Sequence, residues 1–253
     1  MARTAPDHAG IAVRAAAAAQ AFVDDPGHPV LSDADAHHLA RVLRLRDGEE
    51  VIASDGRGRW AQTTWRAGGT LEPLAEAGAV QLEPRAEPAL TVAFAPVKGE
   101  RPEWVVQKLT ELGIDRIVPL LSERGVVRWT GERGKATIER LRRVAREAAA
   151  QSRRVWLPEV CDTMRFGDLP SLGETGEVVL AQLSGDRPTA SQRVVAVGPE
   201  GGWSTEELSS GLPTVGFGLS VLRAETAAVT AAALLASLRT GTVAAAEGSR
   251  GRA

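Results

Sequence analysis

Two short stretches late in the chain combine residue types that a packed core does not need. Val197-Gly198-Pro199-Glu200-Gly201-Gly202-Trp203-Ser204 reads as a strand emptying into a glycine-rich loop. Leu222-Arg223-Ala224-Glu225-Thr226-Ala227 sets an Arg and a Glu two residues apart at the mouth of an almost wholly apolar helix. Glycines permit close backbone approach and positive φ, so such a loop exposes amides that can grip a polar ligand. Arg223 stays protonated at neutral pH; it can hold a phosphate or stabilise negative charge developing on an oxygen, and it cannot serve as a base. Glu225, near a helix start, is favoured as a carboxylate that positions a neighbour or accepts a proton. Gly216-Phe217-Gly218-Leu219-Ser220-Val221-Leu222 adds a flexible, apolar-lined turn of the kind that holds an adenine ring. The bland alternative keeps these as ordinary turns, with Arg223 and Glu225 as helix-start ion-pair residues. Ser204-Thr205-Glu206-Glu207 matches a capping box, which needs no ligand.

Other chemistries find less support. There is no Gly-x-Gly-x-x-Gly fingerprint at the glycine-rich loop and no phosphate loop ending in Gly-Lys-Ser/Thr. His8, His28, His37 and His38 all lie early, with no Cys/His cluster, so no metal is expected. His37 and His38 are adjacent, so one should pack while the other faces solvent. A serine triad fails for want of a Gly-x-Ser-x-Gly elbow and a late His. The single cysteine, Cys161, excludes a disulfide framework and reads as a half-buried small apolar residue. Lys98 ends a strand and can meet phosphate at the carboxyl edge of a sheet. Arg124, Arg128, Trp129, Arg153 and Arg154 combine charge with an aromatic platform suited to RNA, although Trp129 can equally be core.

The elements that must position these residues follow from pattern. A chain of 253 residues with 43 % apolar residues can hold one large or two modest domains. No run approaches a membrane span, and the start is too polar for a secretory signal, so a cytoplasmic location is expected. The net charge of −2 hides a segment from Arg124 to Arg154 with ten Lys/Arg and three Glu. Residues 1–19 are Ala-rich without clear periodicity and read as a flexible arm. From about residue 20 to 84, a capped short helix (Ser32 to Arg46) and several short strands, with a hairpin tip at Gly56–Trp60, form a small β-rich unit. Beyond the Glu83–Pro88 linker the pattern becomes strand-then-helix: Leu90–Ala95, a helix opened by Pro102 and closed by Gly113, Ile114–Leu121, a long helix over 132–151 striped by Ile138, Leu141, Ala145 and Ala148, strands at Glu177–Ala181 and Arg193–Val197, and an apolar helix over Thr226–Leu238. Repeated βα units argue for a mainly parallel sheet over 85–239. The last residues, 240–253, read as a frayed tail.

Together, Lys98–Gly113, Pro119–Arg124, Glu147–Arg154, Val197–Ser204 and Leu222–Ala228 resemble the bacterial 16S ribosomal RNA uracil-N3 methyltransferases of the SPOUT superfamily, and His38–Arg46 is similar to the start of that family's small domain. The resemblance implies an N-terminal PUA-like β-barrel that binds RNA and a C-terminal α/β methyltransferase domain tied in a trefoil knot. It implies a homodimer acting on small-subunit RNA. It places S-adenosylmethionine against Leu180, Ala181, Gln182 and Leu183, against Val197, Gly198, Pro199, Glu200, Gly201, Gly202 and Trp203, and against Phe217, Gly218, Leu219, Ser220, Val221 and Leu222, with Ala224, Glu225 and Thr226 beside them. It offers Arg41, Arg44, Arg46, Lys98, Arg124, Arg128, Arg153 and Arg154 to RNA. In the implied reaction Arg223 stabilises the incipient uracilate or holds a phosphate, Glu225 orients Arg223 or receives the N3 proton, and Glu200 is the reserve acceptor. Three departures stand out: Ala181-Gln182-Leu183-Ser184 where the family often has a His-Glu-like pair, Trp203 where Phe is commoner, and Ala224 where Thr is familiar. Transfer to a ribose 2′-OH or another base, a noncatalytic RNA-binding factor, and a small-molecule enzyme remain the competing expectations.

Overall fold

The computed structural model describes residues 8–74, 79–99, 101–175 and 177–244. The chain divides into two compact units, one built from Met1–Arg85 with Arg146–Leu157, the other from Ala86–Ala145 with Pro158–Ala253.

The first unit holds helix α1 (His8–Ala16), strand β1 (Ala19–Phe22), helix α2 (Asp33–His37) and strands β2 (Glu50–Ser54), β3 (Arg59–Arg66), β4 (Thr70–Pro73) and β5 (Gln81–Leu82). Its sheet runs β1-β2-β3-β4, with β5 on the start of β3; β1 is parallel to β2 and the other pairs are antiparallel. Alternation along β3 sends Thr63 and Trp65 inward, and Trp65 packs with Val51, Ala53, Leu39 and Leu71. At the β2–β3 tip, Gly58 has φ 95°, and a Cβ there would lie 2.6 Å from the Glu83 carbonyl oxygen. Only glycine fits.

Part of the expected loose arm is ordered. Residues 8–16 form α1, with Gly10, Arg14 and Ala17 turned inward. Arg14 is 4 % exposed, pairs with Glu83 and lies 5.1 Å from the Trp60 ring centre. The helical period was hidden because the middle of the buried stripe is an arginine, which covers apolar surface with its stem. The expected tail, 240–253, lies largely outside the described residues. His37 and His38 are both exposed, and Leu39 takes the buried position instead. Ser32 caps α2 by accepting from the Asp35 amide. The chain then widens into a π turn, His38–Val42, and Arg44 follows at φ 55°.

The second unit holds β6 (Thr91–Phe94), α3 (Arg101–Glu111), β7 (Arg116–Leu121), α4 (Gly131–Gln151, whose residues from Arg146 on cluster with the first unit), β8 (Glu159–Val160), β9 (Met164–Arg165), β10 (Glu177–Asp186), β11 (Gln192–Val197), α5 (Thr205–Leu208), β12 (Thr214–Val215) and α6 (Ala224–Thr240). The sheet order is β12-β10-β11-β6-β7-β8 with β9 on β7, and every pairing is parallel. Parallel strands are covered on both faces, hence the continuous apolar runs. On one face Val92, Phe94, Ile117, Val179 and Val195 pack with Val105 and Leu109 of α3, Ile138 and Leu141 of α4, and Ala228, Ala231 and Leu235 of α6. On the other, Ala93, Val118, Leu120 and Leu180 meet Leu169, Leu172 and Trp203. Gly113 (φ 86°) and Gly241 (φ 76°) end α3 and α6 in left-handed conformation.

Candidate active site

Three neighbouring parallel strands, β12, β10 and β11, end their runs side by side, and the loops at their carboxyl ends surround one cleft of about 190 Å³. Open α/β sheets present their ligand sites at this edge. Ala181, Gln182 and Leu183 come from β10; Val197, Gly198, Pro199, Glu200, Gly202 and Trp203 from the β11 end; Phe217, Gly218, Ser220, Val221 and Leu222 from beyond β12; Ala224 and Ala227 from α6. The β12 side can approach only because Gly216 has no side chain: a Cβ there would sit 2.8 Å from the Gly185 carbonyl oxygen and 3.2 Å from that of Leu183. Apolar atoms make most of the wall, and Glu200 is the one charged residue in that lining.

The glycine-rich loop is braced from behind. Trp203 is buried, donates its indole N–H to the Ala181 carbonyl (2.9 Å), and meets the Phe166 ring edge-on at 5.5 Å between centres. Tryptophan in this position thus ties strand β10 to the loop after β11. A Cβ on Gly198 would lie 3.0 Å from two indole atoms of Trp203, so the loop backbone rests against the ring. Ser204 and Glu207 complete the capping box that opens α5: Ser204 Oγ accepts from the Glu207 amide at 3.1 Å, and Glu207 Oε2 accepts from the Ser204 amide at 2.8 Å. Glu207 also accepts from Ser122 Oγ (3.2 Å) and the Glu123 amide (2.9 Å), which binds the loop after β7 to the start of α5. Sequence pattern revealed the capping box but not this second use of its carboxylate.

Charged groups gather around α6. Arg223 is the exposed N-cap of α6, and its side chain makes no capping bond. Glu225, the second residue of α6, is 13 % exposed, and its Oε1 lies 3.5 Å from Arg101 at the start of α3, while Oε2 is buried and has no hydrogen-bond partner among the described residues. The carboxylate is therefore held by Arg101, a residue that sequence spacing did not single out. Lys98 is exposed just past β6.

The RNA methyltransferase domain family matches residues 85–236, and the RNA methyltransferase PUA domain family matches residues 31–64. The ribosomal RNA small subunit methyltransferase E of Synechocystis is 35 % identical, over 82 % of this chain and 72 % of its own. The protein of that name from Mycobacterium bovis is 32 % identical, over 82 % of this chain and 86 % of its own. A Legionella pneumophila protein, classed as a methyltransferase and solved with bound cofactor SAM, is 25 % identical at a TM-score of 0.70, covering 85 % of this chain and 96 % of that one. The chain belongs to the ribosomal RNA small subunit methyltransferase E family. The fold is accordingly the α/β methyltransferase type with an N-terminal PUA domain, as the resemblance implied.

The expected site residues divide. The cleft brings together Ala181, Gln182, Leu183, most of 197–203, and most of 217–224. Leu180 is buried in β10, Leu219 is fully exposed, and Gly201, Glu225 and Thr226 lie off the cleft lining, whereas Ala227, which was not anticipated, is on it. Among the expected RNA contacts, Arg41, Arg44 and Arg46 are exposed in and after the π turn, and Arg128 is exposed after β7. Arg124 is exposed too, but its Nη1 donates to the Gly201 carbonyl at 3.2 Å. Arg153 has a different occupation. It stands at φ 59°, and its guanidinium donates to the carbonyls of Ala17, Ala18 and Ala150 at 2.9–3.0 Å. Burial lowers its pKa, though a guanidinium starting so high remains charged. The carbonyl of Arg154 accepts from the Gln20 side-chain Nε2 at 2.6 Å. The basic character of 124–154 is also partly cancelled, since Lys135, Arg140, Arg142 and Arg146 pair with Glu132, Glu103, Glu139 and Asp35. Trp129 packs against the main core and is no free platform.

Proposed function

We propose that the chain transfers a methyl group from S-adenosylmethionine to N3 of a uridine in small-subunit ribosomal RNA. The cleft carries this reading. Its walls of Leu183, Phe217, Val221 and Leu222 fit a purine and ribose, its loops supply backbone donors and acceptors, and Glu200 suits a ligand bearing positive charge. The Legionella relative solved with SAM supports the same ligand. Bound there, the donor supplies a methyl group already activated by its sulfonium. What remains for the protein is to align the acceptor and ease loss of its proton.

Uracil N3 is protonated at neutral pH and becomes nucleophilic as that proton leaves. Arg223, an exposed guanidinium beside the cleft residues Leu222 and Ala224, stabilises the negative charge that spreads onto O2 or O4. Glu225, held by Arg101, receives the proton directly or through water, with Glu200 as the second acceptor. Arg41, Arg44, Arg46, Arg128 and Lys98 offer exposed cations to RNA phosphates. A second copy of the chain belongs to the same reading: Leu219 and Val221 are 103 % and 84 % exposed beside the cleft, an arrangement that favours cover by another protein surface.

Single-turnover transfer into unmethylated small subunits tests the roles. Arg223→Ala should slow it about a hundredfold with cofactor affinity unchanged, and Glu225→Gln about tenfold or more. Undiminished transfer in both variants removes the assignment. Nucleoside analysis should give 3-methyluridine; a 2′-O-methyl product would select the alternative acceptor. Light scattering should give the mass of a dimer, and a monomer at micromolar concentration would contradict the second copy.

A further inference from the structure

Arg124 is an exposed residue that contacts the glycine-rich loop. It follows β7, in the segment Ser122–Arg124, and this segment grips the cofactor-side loop twice. Ser122 and Glu123 donate to the Glu207 carboxylate at the start of α5, and Arg124 Nη1 donates to the Gly201 carbonyl at 3.2 Å. Gly201 stands between Glu200 and Gly202, both of which line the cleft, and Gly202 turns the chain at φ 69°. A Cβ on Gly201 would be 3.5 Å from Arg124 Cβ, so the arginine stem lies along the loop backbone. A guanidinium carries five N–H donors in a fixed fork. Arg124 has no acidic partner among the described residues, and it is exposed.

We propose that Arg124 is a positioning residue that couples RNA docking to cofactor binding, one edge of its guanidinium holding the Gly201 carbonyl while the other takes an RNA phosphate. The inference rests on the proposed function. A phosphate on the outer edge fixes the guanidinium plane and thereby strengthens the inner bond, so the loop 198–203 is ordered further once RNA is present. Linkage makes the effect mutual: the factor by which RNA tightens the cofactor site equals the factor by which the cofactor tightens RNA. Arg128, four residues on and exposed, makes no such bond to the loop and should attract RNA without coupling.

The experiment measures the affinity of S-adenosylhomocysteine, which cannot turn over, with and without unmethylated 16S rRNA. Arg124→Gln should weaken it about two- to tenfold without RNA, as expected for one exposed hydrogen bond. The same variant should bring the RNA-dependent factor close to one. Arg124→Lys keeps the charge but not the fork, so it should recover RNA affinity while leaving that factor reduced. Arg128→Gln should weaken RNA and keep the factor. Wild-type affinity and coupling in Arg124→Gln would overturn the inference, as would a wild-type coupling factor of one. A wild-type protein that binds RNA but no S-adenosylhomocysteine would instead overturn the methyltransferase reading itself, and this inference with it.

Discussion

Removing the Glu207 carboxylate should unfasten the cofactor-side loop as well as destabilise the chain. Glu207 is 5 % exposed and serves three donors: the Ser204 amide, the Ser122 hydroxyl and the Glu123 amide. In Glu207→Ala all three lose their acceptor. Glu123 is exposed and can turn to water, but Ser204 and Ser122 are 2 % and 4 % exposed and cannot. Two stranded donors at about 1–3 kcal/mol each put the loss between roughly 2 and 6 kcal/mol. The Ser122 hydroxyl can rotate to another acceptor, which favours a value near 3 kcal/mol, about a factor of 100 in the folding equilibrium. Glu207→Gln keeps the volume and one acceptor oxygen, so about half that loss is expected. Urea unfolding reads both. The control is Asp115→Ala, which breaks the buried pair with Arg239 (2.5 Å) at the opposite, amino end of β7 and should cost about 3–5 kcal/mol. At equal stability, cofactor affinity should fall in the Glu207 variants and hold in Asp115→Ala. A Glu207→Ala protein within about 0.5 kcal/mol of wild type would refute the bracing role, because only a surface residue behaves so.

Gly198→Ala places a methyl 3.0 Å from the Trp203 ring, which its bond to Ala181 and its contact with Phe166 prevent from retreating; about 1–3 kcal/mol of overpacking and a weaker cofactor site should follow in calorimetric titration. Arg153→Ala removes the guanidinium donor from the Ala17 and Ala18 carbonyls, while the Ala150 carbonyl keeps the backbone N–H of residue 153, and should lower the unfolding free energy by about 1–3 kcal/mol; unchanged stability with reduced RNA affinity would restore Arg153 to the RNA surface. Burial pushes the Cys161 thiol up to about 11, so it is protonated, hence unreactive, at neutral pH. Its alkylation at pH 8 should run roughly a hundredfold or more below that of an ordinary exposed thiol and accelerate as pH rises toward 11; a fast reaction at pH 7 would contradict this.

The elements of the second unit were legible because local signals and tertiary packing agree there. Pro102 and Gly113 bracket α3, the stripe Ile138–Leu141–Ala145–Ala148 is the buried face of α4, and Ser204 with Glu207 caps α5. What the pattern could not give was partnership between distant segments. Glu207 looked complete as a capping residue, and nothing in its four-residue motif pointed to Ser122 and Glu123, some 85 residues earlier. Sequence places Glu225 beside Arg223, whereas the structure pairs it with Arg101 of another helix. Helix α1 was missed for the opposite reason: its inward stripe carries Arg14, which a hydrophobicity count scores as solvent-facing.

Charge was the least legible quantity, and the reason bears on function. A run of ten cations suggests a field, but an arginine contributes to an RNA surface only if its donors are unspent and its desolvation is not already offset by an internal carboxylate. Arg140, Arg142 and Arg146 meet carboxylates, and Arg153 meets carbonyls; Arg128, like Arg41, Arg44 and Arg46 of the first unit, remains exposed without an acidic partner among the described residues. Phosphate attraction should therefore reside in fewer positions than the sequence count implies. The salt dependence of RNA binding gives that number, because each phosphate neutralised contributes close to one to the slope of log K against log salt on a duplex and somewhat less on a single strand. Removing Arg41 or Arg44 should lower the slope by about one, and removing Arg142, already paired with Glu139 and Asp162, should leave it unchanged. A slope that falls equally for Arg142 would mean that internal pairing does not decide which arginines RNA sees.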